Sequence, residues 1–265
     1  MAIEAYAERI TENVPRHLYK YKSLAGAAKR HTRDLIVNQN LYLPAPADLN
    51  DPFECKPHLA SSAAPDQQKR YVTELVRRLN PEKTRTERKQ IIRTLEADQP
   101  LFRETMFKAT AATFAAVGIY SLSSRSQDLL MWPHYADNHQ GVCVRFDMQA
   151  LIDAGHVPFP VIYADERPAC DTILEEPVEW LNKAVLTKGR PWEYEREWRL
   201  IMNRGARTVL PLFTPTVDGV LLGANISPDD REEVLRWTKE AGRPIVVAQA
   251  SFHETSYELV VTNLT

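Results

Sequence analysis

Trp192-Glu193-Tyr194-Glu195-Arg196-Glu197-Trp198-Arg199 is the stretch that decides how the rest of the chain is read. Read as a strand, its side chains alternate between two faces at a rise of about 3.3 Å per residue. Trp192, Tyr194, Trp198 and then Leu200 fall on one face, with Arg196 alone out of pattern. Glu193, Glu195, Glu197 and Arg199 fall on the other. Read as a helix, the same residues scatter charge and rings on every side, so the period of two wins. Glu195 and Glu197 then stand roughly 6.6 Å apart along the backbone. Carboxylates that close raise the pKa of at least one of them unless cations or water compensate. The acidic face is therefore either the solvated outside of an antiparallel sheet or a catalytic face lining a cleft.

Working outward, strands are expected over 208–213, 219–222, 245–250 and 257–262 on the C-terminal side. A helix over 228–240 starts at Ser227-Pro228 and stops at Gly242. On the N-terminal side, residues 170–186 read as helical with a break near Pro177, and 158–163 and 142–146 read as strands. Residues 129–139 form a short helix with Pro133 in its first turn, stopped by Gly141, and 118–123 is a further strand. The chain begins with a short lead-in helix, a strand at 18–21, Ser23 as a helix cap, a helix over 24–37 and a strand at 40–43. Asn50-Asp51-Pro52-Phe53-Glu54 is a loop, because proline removes a donor and biases its predecessor away from helix. Strands with helices grouped rather than strictly alternating predict an α+β fold with mainly antiparallel or mixed sheets.

Residues 61–116 change character. Tyr71, Val72, Leu75, Val76 and Leu79 make a helical stripe, Asn80-Pro81 reads as an N-cap with proline at the first helical position, and a third helix runs over 99–116. The chain of 265 residues is thus read as a single domain, 1–265, with 61–116 a helical insertion or lid. Net charge is −2, but residues 69–93 hold nine Lys or Arg against three Glu. That block is either a solvated helix surface or a docking face for nucleic acid or an acidic partner. No run of about 18 apolar residues predicts a membrane span. The first 17 residues carry acids early and lack the apolar core of a secretory signal. Cys55, Cys143 and Cys170, odd in number and far apart, fit reduced thiols of a cytoplasmic protein.

Several chemistries lack their parts. His134 and His139 are five apart, not the four that shares a helix face, and Cys143 has no second cysteine near it, so no metal is expected. The two histidines read instead as polar partners of backbone or carboxylates. Phosphate-cradling glycine loops and a serine-hydrolase elbow are absent. A metal-dependent nuclease would draw on Asp51, Glu54 and Glu195, but the position two beyond Glu195 is Glu197 rather than lysine. What remains is a carboxylate pair, a serine-bearing strand and aromatic rings. Chemistry at a sugar C1 uses such parts, because its oxocarbenium-like transition state is stabilised by a nearby carboxylate. A nicotinamide leaving group departs neutral and needs only a flat aromatic slot.

Leu18-Tyr19-Lys20-Tyr21, Asn50-Asp51-Pro52-Phe53-Glu54, Leu122-Ser123, Leu130-Met131-Trp132 with His134-Tyr135-Ala136 and His139-x-Gly141-Val142, and Trp192-x-Tyr194-Glu195-x-Glu197-x-Arg199 occur in order. Together they resemble the bacterial DUF2971 family, a domain of unknown function, from about residue 18 to 262. The layout also resembles the ADP-ribosyltransferases, in which an early strand offers a residue to NAD, a later one a serine motif and a last one the catalytic glutamate. That resemblance implies a split sheet. It puts Lys20 or Tyr21 in the first role, Ser121 or Ser123 in the second and Glu197 in the third, with Glu195 the first acid of Glu-x-Glu.

The expectation is an enzyme that transfers ADP-ribose from NAD to an unknown protein or nucleic-acid acceptor, in bacterial conflict or phage defence. Glu197 would stabilise the oxocarbenium, Glu195 would orient or deprotonate the acceptor, and Arg199 would keep Glu197 ionised. Lys20, Tyr21, Asp51, Ser121 and Ser123 would hold the cofactor, and Trp132 with Tyr135 would wall the nicotinamide. The alternatives are a non-catalytic binding module using 69–93 and the nuclease.

Overall fold

Strands with two apolar faces belong inside a sheet, and residues 118–123 and 142–147, buried along most of their length, supply the middle of this one. The structure, a computed structural model, describes residues 14–264; the lead-in helix lies outside the described residues. In chain order the strands are β1 (His17–Lys22), β2 (Asn40–Leu43), β3 (His58–Leu59), β4 (Gly118–Ser123), β5 (Val142–Asp147), β6 (Phe159–Pro160) and β7 (Ile162–Ala164). They continue as β8 (Ala169–Cys170), β9 (Thr187–Gly189), β10 (Glu197–Met202), β11 (Thr208–Pro211), β12 (Val217–Leu222), β13 (Val246–Phe252) and β14 (Leu259–Asn263). The helices are α1 (Ala28–Asn38), α2 (Pro65–Leu79), α3 (Arg85–Ala97), α4 (Gln99–Ala115), α5 (Met131–Tyr135), α6 (Met148–Asp153), α7 (Pro177–Val185) and α8 (Pro228–Glu240).

Among the described residues the fold is α+β, with an eight-stranded mixed sheet in the order β14-β13-β12-β5-β1-β4-β10-β6 and three small two-stranded sheets. Pairing in the main sheet is antiparallel except between β12 and β13. One face carries Leu18, Leu122, Val144, Phe146 and Leu200 against Leu35 and Ile36 of α1 and Val234 and Trp237 of α8. The other carries Tyr21, Cys143 and Leu221 against Met131 and Trp132 of α5. Further along, Val117 and Ile119 meet Phe114 of α4 and Trp180 of α7.

The ladder is uneven at one place. β1 pairs with β5 through every residue from His17 to Lys22, and β4 with β10 through every residue from Gly118 to Ser123. Between β1 and β4 the register is the single pair Tyr19↔Ser123. It is the sparsest pairing in the main sheet.

Four local readings need correction. Residues 190–195 are a 3-10 turn rather than strand, because Pro191 fixes the first dihedral and Arg196, at φ 45°, takes the left-handed conformation that ends it. The aromatic stripe therefore divides: Trp198 packs with Leu200 on one face, while Tyr194 joins Trp132 on the other. Asn80 does not start a helix. It is the C-cap of α2, and α3 starts at Thr84, whose hydroxyl accepts from the Glu87 N–H while Glu87 returns a bond to the Thr84 N–H. The reciprocal Thr-x-x-Glu pair satisfies two orphan donors where Asn80-Pro81 would satisfy one. Ser23 caps no helix; its hydroxyl bonds Asp137 and accepts from the Ala25 N–H. Finally, 158–163 divides into β6, on β10, and β7, on β9. Among the described residues no helix is long and apolar enough to cross a membrane.

Gly141 joins α5 to β5 where the backbone of β1 runs alongside. A Cβ at this position would stand 2.2 Å from the Lys22 carbonyl oxygen and 3.0 Å from Ala136 Cα. Neither neighbour is a flexible side chain that turns away. Gly141→Ala is expected to destabilise the protein by about 1–3 kcal/mol, seen as a lower urea midpoint at unchanged slope.

Candidate active site

The register of β4 on β10 sets Ser123 opposite Glu197 and Ser121 opposite Arg199. The left-handed turn at Arg196 then brings Glu195 round to the same side as Glu197, although the two do not share a strand. Two bonds fix this corner: the Ser123 hydroxyl donates to the Glu195 carbonyl at 2.6 Å, and the Tyr163 hydroxyl accepts from the Glu197 N–H at 2.8 Å.

The acidic face is not solvated. Glu195, Glu197 and Glu54 are buried, and Arg199 is 0 % exposed. Arg199 grips Glu197 in a two-pronged pair, Nε to Oε1 at 2.8 Å and Nη2 to Oε2 at 3.0 Å. Its remaining arm donates to Glu54 Oε1 at 2.8 Å and to the Val185 carbonyl. Lys188 Nζ bridges the acids, 2.5 Å from Glu195 Oε2 and 3.0 Å from Glu197 Oε2. Tyr135 donates to Glu195 Oε1 at 2.6 Å and accepts from Asn50 at 2.9 Å. Lys20 donates to the Ser121 carbonyl at 2.7 Å, its ammonium 4.8 Å from the centre of the Tyr120 ring.

Charge and burial pull these groups apart. Burial pushes the Glu195 carboxyl up, Lys188 pulls it down and Glu197 pushes it up again; the balance lies above the ordinary range. Burial acts the same way on Glu197, but Arg199 and Lys188 more than reverse it and hold that carboxyl well below the ordinary range. Burial lowers the Lys20 ammonium to about 8, helped by Lys22 and opposed by the two glutamates. A pair whose members titrate on opposite sides of the ordinary value is the arrangement found where acid–base work is divided.

These residues line a cavity of about 100 Å³ beside the β1–β4 join, formed by β1 (Tyr19, Lys20, Tyr21), β4 (Ser121, Ser123) and the acids and cations just described. Grooves adjoin it, among them one of about 330 Å³ that shares Leu49 and Glu54 with it, and two more. One of about 610 Å³ over 124–130 shares Tyr19 with it, and one of about 870 Å³ shares Lys188.

Of the residues expected here, Lys20, Tyr21, Ser121, Ser123, Tyr135, Glu195, Glu197 and Arg199 all line the cavity. Asp51 and Trp132 do not. Asp51 closes its own turn, with Oδ1 accepting from the Phe53 N–H at 2.8 Å. Trp132, 0 % exposed, is stacked on His139 at 5.7 Å and donates to the Ser126 carbonyl, so a large apolar ring goes to the core rather than to a polar cavity. His139 itself is an aromatic packing partner. Lys188, Asn50 and Tyr163 were missed, and Glu54 was weighed only as a metal ligand. Lys188 sits in a three-residue strand with no sequence pattern of its own.

Among the described residues, the side chains close enough together to hold a metal ion are His17, Asp147 and Asp218, away from this cavity. In the basic block, Lys69, Arg70 and Arg77 stand 3.6–3.9 Å from Glu96, Asp66 and Glu74. These partners all lie within the helical block, and the contacts are surface pairs of small energetic weight.

The family described as "Protein of unknown function (DUF2971)" matches residues 131–200, the segment from α5 into β10 that carries Tyr135, Lys188, Glu195, Glu197 and Arg199. The DUF2971 resemblance is borne out there; the ADP-ribosyltransferase resemblance gains no support from the comparison. No curated protein and no solved structure matches the chain.

Because the folded carboxyl of Glu197 lies below its ordinary 4.5, it stabilises the fold fully above that pH. The contribution is lost as pH falls from there towards the folded value. Glu197→Gln is expected to cost about 3–5 kcal/mol at pH 7, as breaking a buried pair does. The gap between variant and wild type should narrow towards pH 3 in urea titrations.

Proposed function

We propose that the chain transfers ADP-ribose from NAD to an acceptor, on an ADP-ribosyltransferase-like split sheet. The observation that carries this reading is the position of the cavity: it lies where β1 and β4 share a single residue pair, with two carboxylates of opposite titration at its wall. Its volume of about 100 Å³ is below the roughly 300–1,000 Å³ of an ordinary small-molecule cleft. It therefore takes one flat ring, the nicotinamide, beside Tyr19, Tyr21 and Tyr135, while the groove over 124–130, with Arg125, takes the remainder of the dinucleotide.

The two acids divide the work. A carboxylate offers about four acceptor sites. Glu197 uses three on Arg199 and Lys188. Glu195 spends two, on Tyr135 and Lys188. Glu195 thus has sites left for a ribose or acceptor hydroxyl, and its raised pKa suits a base that takes a proton as the new bond forms. Glu197 contributes fixed negative charge beside C1.

The test is nicotinamide release from NAD by purified protein. Glu195→Gln is expected to lower it at least a hundredfold, about 3 kcal/mol, with the circular dichroism spectrum intact. Full activity in that variant rejects the assignment. Lys20 is cationic below pH about 8 and neutral above it. If its charge is needed in the cavity that takes the ring, kcat/KM falls above that pH, and Lys20→Met lowers kcat/KM and removes the alkaline fall together.

A further inference from the structure

Lys188 is the least expected member of the site, and its surroundings are those of a bound ligand. Its ammonium lies between Glu195 and Glu197 and 4.9 Å from the centre of the Trp192 ring. Two carboxylates and an aromatic face are what a protein offers to a cation it recognises from solution. Here the chain supplies the cation itself. The backbone of Lys188 is tied into β9 by its pairing with β7, and Pro191 lies three residues on. The residue is buried. Burial alone would lower its affinity for a proton, but the two glutamates reverse this and keep it charged.

Counting formal charge completes the argument. The cavity wall holds three carboxylates (Glu54, Glu195, Glu197) and three cations (Lys20, Lys188, Arg199). Those charges balance, and the cation seat between Glu195 and Glu197 is already filled by the chain's own ammonium. On its far side Lys188 forms part of the groove of about 870 Å³, which includes Trp192, Pro191 and Phe53, the last 66 % exposed. An acceptor arriving by that groove meets an ammonium, not a free carboxylate.

We infer that Lys188 is a built-in occupant of the cation seat and restricts the transfer to an uncharged oxygen or nitrogen nucleophile, excluding guanidinium and ammonium acceptors. The inference rests on the transferase reading for its chemistry. In that step the bond from C1 to the nicotinamide nitrogen breaks and its electron pair leaves with the ring, which becomes neutral. A lone pair of the nucleophile forms the new bond to C1, and the proton it sheds passes to Glu195.

The experiment uses the full chain, with methylguanidinium and arginine methyl ester as probes. Arginine methyl ester is expected to leave nicotinamide release by the wild type unchanged. In Lys188→Ala, methylguanidinium raises the melting temperature, and arginine methyl ester increases nicotinamide release at least tenfold with ADP-ribose found on the ester. In Lys188→Arg the chain refills the seat, and methylguanidinium produces no shift. Stimulation of the wild type by the ester overturns the inference without recourse to any variant, which covers a Lys188→Ala protein that does not fold. Absence of a thermal shift in folded Lys188→Ala overturns it as well. A thermal shift in that variant with no nicotinamide from either protein overturns the transferase reading while the cation seat stands.

Discussion

A guanidinium withdrawn completely from water is tolerated only where every face of it is answered, and Arg199 sets that requirement for this protein. Glu197 takes one edge, Glu54 another, and the Val185 carbonyl the rest. Each partner comes from a different part of the chain: β10, the loop after residue 50, and the end of α7. The desolvation of such a group is repaid only by near-complete pairing. One side chain thereby fixes the relative position of β10, the Asn50–Cys55 loop and the segment leading into β9.

The remainder of the site follows from the same pressure. With Glu54 and Glu197 committed to Arg199, Glu195 is left as a third buried acid, and Lys188 answers it. Lys188 in turn reaches Glu197, so that the five charges form one connected set rather than separate pairs. Tyr135 and Asn50 extend it towards solvent. Removing any one member leaves its neighbours short, which is why geometry of this kind is stiff.

Much of the fold could be read from the residues. Apolar alternation located β4 and β5, Ser227-Pro228 and Gly242 bounded α8, and Glu197 with Arg199 was placed on a face opposite Trp198 and Leu200. The sequence left the destination of that face open between solvent and a cleft, because alternation reports which side chains lie together and not what lies against them. The 3-10 turn before it was hidden by a period of two that persists through Trp192 and Tyr194. Only Arg196, the residue out of pattern, marked the place where the backbone changes hand. Trp132 was placed at a ligand because aromatic rings serve both pockets and cores, and its burial depends on partners such as His139 and Tyr21. Lys188 could not be found at all, since its meaning comes from two acids whose convergence is a property of the folded chain.

The join between β1 and β4 has a mechanical consequence. On one side of it stand β14, β13, β12, β5 and β1; on the other, β4, β10 and β6. Across it the usual rungs give way to one residue pair, to the Lys20 ammonium reaching the Ser121 carbonyl and to the Tyr21 hydroxyl reaching the Arg125 carbonyl just past β4. A side chain here does the cohesive work that peptide groups do elsewhere, and it belongs to the wall of the hollow. A guest that draws Lys20 towards itself loosens a stitch in the seam, and one that leaves it in place tightens the two panels. How firmly the halves of this sheet hold together and what sits between them are one linked quantity.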